Sequence, residues 1–123
     1  MRRRGERGLS GSVQVTLLLP FVLGIFLLAL QWAMYSWAET TAQAAAQDGA
    51  RAAAAFNGTA AHGRSVAFAA ADNGSLDTIR ADVRRGPRVS SATVTGRALG
   101  VIPLFPVTVS VTADTPTERL TQP

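Results

Sequence analysis

From Gly8 to Ala38 the chain carries no charged residue, and within that stretch Val15 to Ala38 (VTLLLPFVLGIFLLALQWAMYSWA) holds twelve Leu, Ile, Val or Phe in 24 positions. About 20 apolar helical residues cross the hydrocarbon core of a bilayer. Those twelve side chains favour insertion by about 4–7 kcal/mol. The pattern predicts a transmembrane helix over residues 13–38. A core helix this apolar would need cover on every side, which 123 residues do not supply. A cleaved secretory signal is the rival reading, because Ala42-Gln43-Ala44 has small-x-small form, although the apolar run exceeds the ~7–15 residues of a signal. Pro20 lies one turn into the span and is expected to bend it, as membrane helices tolerate.

Helix-forming residues continue through ETTAQAAAQDGARAAAAF, residues 39–56, so one helix from about Val13 to Phe56 is expected. Ala38, Ala42, Ala46, Ala50 and Ala54 recur every fourth residue, with Ala45, Gly49 and Ala53 beside them and Gln43, Gln47 and Arg51 on another face. A stripe of small residues lets a second helix or a sheet approach closely. Asn57-Gly58 signals its end. Residues 59–73 predict a second, shorter helix, weakened by Gly63, with Val66, Phe68 and its alanines packed back on the first. Asn57-Gly58-Thr59 and Asn73-Gly74-Ser75 match the glycosylation acceptor pattern, yet both read more simply as turns.

Beyond Ser75 the period changes to two. Ile79, Ala81 and Val83 alternate with Arg80, Asp82 and Arg84; Ala92, Val94 and Ala98 with Thr93, Thr95 and Arg97; Val107, Val109, Val111 and Ala113 with Thr108, Ser110 and Thr112. Such alternation marks strands with one buried face. Gly86-Pro87 and the Gly100 to Pro106 stretch (GVIPLFP) separate them, which predicts a three-stranded antiparallel meander covered by the Ala-rich helices. The first of the three has a rival reading as a helix, since SLDTIRADVRR places acids early and Arg late. The expected fold class is α+β, membrane-anchored and pilin-like: a long N-terminal helix, a short second helix and a small antiparallel sheet. Its divisions are a basic leader (1–12), the span (13–38), an exported Ala-rich helical region (39–73) and the sheet with its tail (74–123).

Charge then sets the orientation. The chain has 12 basic and 8 acidic residues, and every basic one is Arg. Arg2, Arg3, Arg4 and Arg7 against Glu6 put +3 in the first seven residues, whereas residues 39–123 hold eight Arg and seven acids, only +1. The surplus is a flank of the span, not a nucleic-acid surface. By the positive-inside rule the N-terminus is cytoplasmic and residues 39–123 extracytoplasmic, with Trp32, Tyr35 and Trp37 as an aromatic belt at the far interface. Cys is absent and His62 stands alone, which leaves no thiolate chemistry, disulfide or histidine metal cluster. Without Lys there is no phosphate-binding G-x-x-x-x-G-K-[ST] loop, and Ser10 and Ser12 around Gly11 form no nucleophile elbow. Asp72, Asp77 and Asp82 fall on different predicted elements. Arg80, Arg84, Arg85 and Arg88 surround Gly86-Pro87 with no interleaved aromatic, as a solvated hairpin end does. No cofactor, metal or catalytic site is expected.

Three segments in order carry a resemblance. Ser12-Val13-Gln14-Val15-Thr16-Leu17-Leu18-Leu19-Pro20 resembles the V-E-x-x-L-x-x-P opening of the TadE-like family of tight-adherence pilus proteins. Ala44-Ala45-Ala46-Gln47-Asp48-Gly49-Ala50-Arg51-Ala52-Ala53 is similar to the family's A-x-x-A-A-x-x-G/A-A-R-A-A segment. The ATVTGRA strand, the Val101-Ile102-Pro103 turn and Thr115-Pro116-Thr117-Glu118-Arg119 resemble members from high-GC Gram-positive bacteria. The resemblance implies a non-catalytic minor pseudopilin or pilus-assembly subunit. It also implies partners in the bilayer, in pilus-assembly membrane proteins and other pilin-like subunits, and in a prepilin peptidase that would cut near Gly8, Leu9 or Gly11. The chain departs from the pattern at Gln14, where the family has Glu. An amide accepts a hydrogen bond but has no charge for a neighbour's ammonium. With Gln14 as fifth residue the cut follows Leu9; after Gly11, Thr16 would be fifth; an uncleaved signal anchor is the third outcome. The alternative function is a membrane-tethered extracytoplasmic binding or accessory domain unrelated to pili.

Overall fold

The computed structural model describes residues 2–101 and 107–119, with side chains from Gly11 onward. Two helices, α1 (Arg2–Ala54) and α2 (Ala60–Ala71), precede three strands, β1 (Leu76–Arg85), β2 (Val89–Ala98) and β3 (Val107–Pro116). The strands form one antiparallel sheet in the order β1-β2-β3. This is the expected architecture of a long apolar helix, a short helix and a three-stranded meander. The long helix starts earlier than Val13 and stops two residues before Phe56, and it passes through Pro20.

α2 begins where Thr59, in extended backbone, accepts a hydrogen bond from the His62 amide (3.0 Å) through its side chain. That N-cap satisfies one of the amides the first turn leaves open. It ends at Asp72, and Asn73 then closes the turn. The Asn73 side-chain oxygen accepts from the Ser75 amide (3.0 Å), while its amide donates to Thr41 Oγ1 on α1 (2.9 Å). Asn73-Gly74-Ser75 is therefore a turn that also ties α2 to α1.

β1 is a strand, which decides between the two readings of residues 76–85. Acids early and Arg late suit a helix dipole, but Ala81 pairs with Val94 and Val83 with Ala92, and that pairing supplies the sheet with its third strand. A bulge interrupts the β1–β2 register between Asp77 and Arg80, with Thr78 at φ 53°. The extra residue changes the phase, so Leu76 is buried alongside Val83 although one position is even and the other odd.

The core lies between the sheet, α2 and the C-terminal part of α1. Ala38, Ala42, Ala45, Ala46, Ala50 and Ala53 of α1 are fully buried there, with Ala67 and Ala71 of α2 and Ala92 and Val94 of β2. Val94 is the largest fully buried side chain. The outward face of the sheet is polar: Thr93 and Thr112 share a hydrogen bond across β2 and β3 (2.8 Å), as do Thr95 and Ser110 (3.2 Å).

The contact between α1 and α2 departs from expectation. Val66 is half-buried and Phe68 is exposed; the expected alanines, Ala67 and Ala71, make the contact, together with Gly63. The reason is proximity. A Cβ on Gly63 would lie 2.7 Å from the Gly49 carbonyl oxygen and 2.8 Å from Ala53 Cβ, closer than real atoms come. At that separation a phenylalanine has no room. Gly63, which weakens α2 as a helix former, is the residue that lets the helices meet.

Candidate membrane span and packing interface

α1 contributes two surfaces of opposite kind. From Val13 to Leu30 its large side chains are bare apart from half-buried Leu27: Val13, Leu17, Leu19, Phe21, Leu23, Ile25, Phe26 and Leu28 are all exposed. The 18 most apolar consecutive residues have none of their number buried, and this is the one helix among the described residues long and apolar enough to cross a membrane. Twenty residues, Gly11 to Leu30, span about 30 Å at 1.5 Å per residue, the thickness of a hydrocarbon core. Burying apolar surface is worth about 25 cal/mol per Å², so leaving such a helix in water is strongly disfavoured.

The head begins to cover α1 at its exit from this bare stretch. Of the three aromatics, Trp32 is 70% and Trp37 49% exposed, whereas Tyr35 is half-buried and packs against the core. Trp32 and Trp37 thus remain open to the surroundings, and Tyr35 belongs to the head. Gln31, the first amide after the apolar run, accepts a hydrogen bond from the Val101 amide through Oε1 (2.9 Å). The chain after β2 therefore reaches down to the level where the bare stretch ends.

The second surface is the alanine stripe. Ala42, Ala46, Ala50 and Ala54 are all buried, and the adjoining Ala45, Gly49 and Ala53 widen the stripe into two columns. A Cβ on Gly49 would meet Ala67 Cβ at 2.6 Å and Ala92 Cβ at 3.4 Å, so this point of α1 touches α2 and β2 together. The stripe is filled by the chain's own head. Gln43 and Gln47 stay exposed, and Arg51 lies 3.9 Å from Asp48 in an ion pair so open to solvent that it adds little.

The C-terminal end of α1 is closed by residues far along the chain. An α-helix leaves its last carbonyls without partners. Arg85 donates to the Ala53 carbonyl and to that of Ala55 (2.7 Å), and the Glu118 amide donates to the Ala54 carbonyl (2.8 Å). A guanidinium at this end also complements the helix dipole. Thr117 donates from Oγ1 to the Gly86 carbonyl and from its amide to that of Arg88 (both 2.9 Å), and Arg119 donates to the Pro87 carbonyl. Residues 117–119 thus strap the β1–β2 turn to the end of α1.

The other sequence-singled residues stay apart. Gly11 and Gln14 are exposed on α1. Gly8, Leu9, Arg2, Arg3, Arg4 and Arg7 lie within the span of α1, but their side chains fall outside the described residues, as do Ile102 and Pro103 of the anticipated turn. The arginines around Gly86-Pro87 divide: Arg85 turns back onto α1, while Arg84 lies 3.9 Å from Asp82. His62 is exposed, and among the described residues no three His, Asp or Glu side chains are placed to hold a metal ion. Sequence reasoning missed the Gly49–Gly63 crossing, the Arg85 cap and the Gln31–Val101 bond. Gln31 could have been noticed as the lone amide at the end of an apolar run.

Residues 10–51 match the family model described as TadE-like protein, a segment that covers the bare stretch and most of the alanine stripe. The match stops before α2 and the sheet. Neither a curated protein nor a solved structure matches the chain.

Proposed function

We propose that this protein is a non-catalytic TadE-like subunit of a tight-adherence pilus system, a minor pseudopilin or an assembly subunit anchored by a single membrane span. The supporting observation is that one uninterrupted helix serves both purposes. Its first part presents large apolar side chains with no protein cover, and its second part is the central helix of the head. The family match falls on the helix that joins them. In this reading the basic residues 1–12 stay in the cytoplasm, residues 13–38 form the span with 31–38 at its outer headgroup level, and the helical region 39–73 with the sheet region 74–123 lies outside. Partners are the bilayer, pilus-assembly membrane proteins and other pilin-like subunits, with a prepilin peptidase acting near Gly8, Leu9 or Gly11.

The test is co-isolation and deletion. The protein is expected in sheared surface filaments or bound to the assembly machinery, and its deletion is expected to alter the filaments. Recovery from membranes alone, with normal filaments after deletion, would overturn the reading. Mass spectrometry of the mature N-terminus reads processing separately: an end at Leu9, Ser10 or Ser12 supports a peptidase cut, one near Ala45 a secreted product, and an intact leader a permanent anchor.

A further inference from the structure

We infer that the segment following β2, at Leu99 and Val101, is a second membrane contact, which rests the head on the bilayer at a fixed angle around α1. The inference rests on α1 crossing the membrane, and its partner is the acyl–headgroup boundary of that same bilayer.

Depth comes first. With Val13 to Leu30 filling about 27 Å of hydrocarbon, Gln31 sits at the outer edge. The Val101 amide donates to Gln31 Oε1, and Gly100 lies so close to the Gln31 side chain that an added Cβ would meet its amide atoms at 2.7–2.8 Å. The backbone at 100–101 is therefore held at the depth of Gln31. Orientation follows. The Leu99 amide donates to the Ser75 carbonyl (3.3 Å), which ties this segment to the head as well.

Chemistry decides the partner. Leu99 and Val101 are 40% and 41% exposed, and they adjoin a helix whose bare apolar surface already requires lipid. Trp32, next to Gln31 in sequence, is 70% exposed at the level indole rings prefer. The other bare apolar residues of the head, Phe56, Phe68 and Val89, lie just past the end of α1, on α2 and at the start of β2, and none of them is bonded to Gln31 or its neighbours. An interfacial apolar contact sinks about 5–10 Å into the headgroup region, a depth the Leu99 and Val101 side chains can reach. Gln31 serves both demands: its amide at the membrane edge is bonded to backbone, and the same bond positions Val101.

The chain has no Cys, so a single introduced thiol can be labelled uniquely. The full-length protein is reconstituted in phospholipid vesicles with an environment-sensitive fluorophore on Leu99→Cys, Val101→Cys, Ile25→Cys, Val89→Cys or Thr112→Cys. Lipids that carry a quencher near the headgroup are then added. Labels at 99 and 101 are expected to lose about half of their emission, as interfacial burial requires, while those at 89 and 112 lose none. Gln31→Leu should restore emission at 101 and leave 25 quenched. If 25 is quenched and 99 and 101 are not, the contact is overturned and the span stands. If 25 escapes quenching, the membrane reading itself has failed and the contact with it. Self-quenching between labels at 99 without quencher lipid would give the patch to a second copy and overturn the assignment to lipid.

Discussion

The two halves of α1 invert the ordinary relation between side-chain size and burial. Between Val13 and Leu30 the large aliphatic and aromatic residues are exposed, apart from half-buried Leu27; between Ala38 and Ala54 the buried residues are alanines, a glycine and Thr41. In a water-soluble helix the large side chains face inward because they gain most from leaving water. Here the first half has no protein to leave water for, so its size is matched to a lipid solvent. The second half is surrounded on two sides by its own head, and its small residues let α2 and the sheet come within touching distance of the backbone. One helix is built by two rules, and size, not hydrophobicity alone, tells which rule applies.

That comparison can be broken from either side. The largest effect is expected for Ala50→Leu, which puts three extra carbons into the two-sided contact: about 3 kcal/mol or more of lost head stability, read as an earlier unfolding midpoint in detergent. Leu23→Ala removes as many carbons from the bare half, and the same measurement is expected to stay within about 0.5 kcal/mol. If the two substitutions cost the same, the division is wrong. The complementary lesion is Leu23→Arg, which costs the span about 3 kcal/mol of insertion and leaves the head's folding intact, measured as a shift from carbonate-resistant to extractable protein.

Smaller effects sharpen the picture within the head. Gly63→Ala should cost about 2 kcal/mol, because the added methyl meets the Gly49 carbonyl and Ala53 and the helices must part. Ala is the better helix former, so a stabilised protein would show that α1 and α2 do not cross at Gly63. Arg85→Met keeps the aliphatic stem and loses the bonds to the Ala53 and Ala55 carbonyls, for about 1 kcal/mol, with faster amide exchange in the last turn of α1 as the signature. The last change has the opposite sign. Thr78→Gly relieves a β-branched residue held at φ 53° and should raise the unfolding midpoint by the equivalent of about 1 kcal/mol, unless the bulge is absent in solution.

What was legible in the sequence follows from which features are periodic. The apolar run, the fourfold alanine repeat and the twofold alternation of the strands each reflect one face repeated many times, so the span, the stripe and the meander could be read directly. Features made once were harder. Gly63 looked like a helix weakener because its value depends on Gly49, fourteen residues away. Phe68 looked like a core residue by type, and only the short distance between the helices turns it outward. Leu76 falls out of phase with Val83 because the bulge inserts a residue that alternation alone cannot reveal. Arg85 resembled its solvated neighbours, since nothing local shows that the end of α1 passes beside it. The turn strapped by Thr117 depends likewise on contacts formed only when the head closes.

The absence of any joint in α1 between the bare stretch and the head has a mechanical consequence. From Gln31 to Ala54 the helix extends about 36 Å further as a stiff rod. A span tilts when the bilayer is thinner than its apolar length, by about 20° on average. Through this rod, a 20° tilt would carry the far tip of the head roughly 12 Å sideways. Lipid thickness is thereby converted into the angle at which the head is presented.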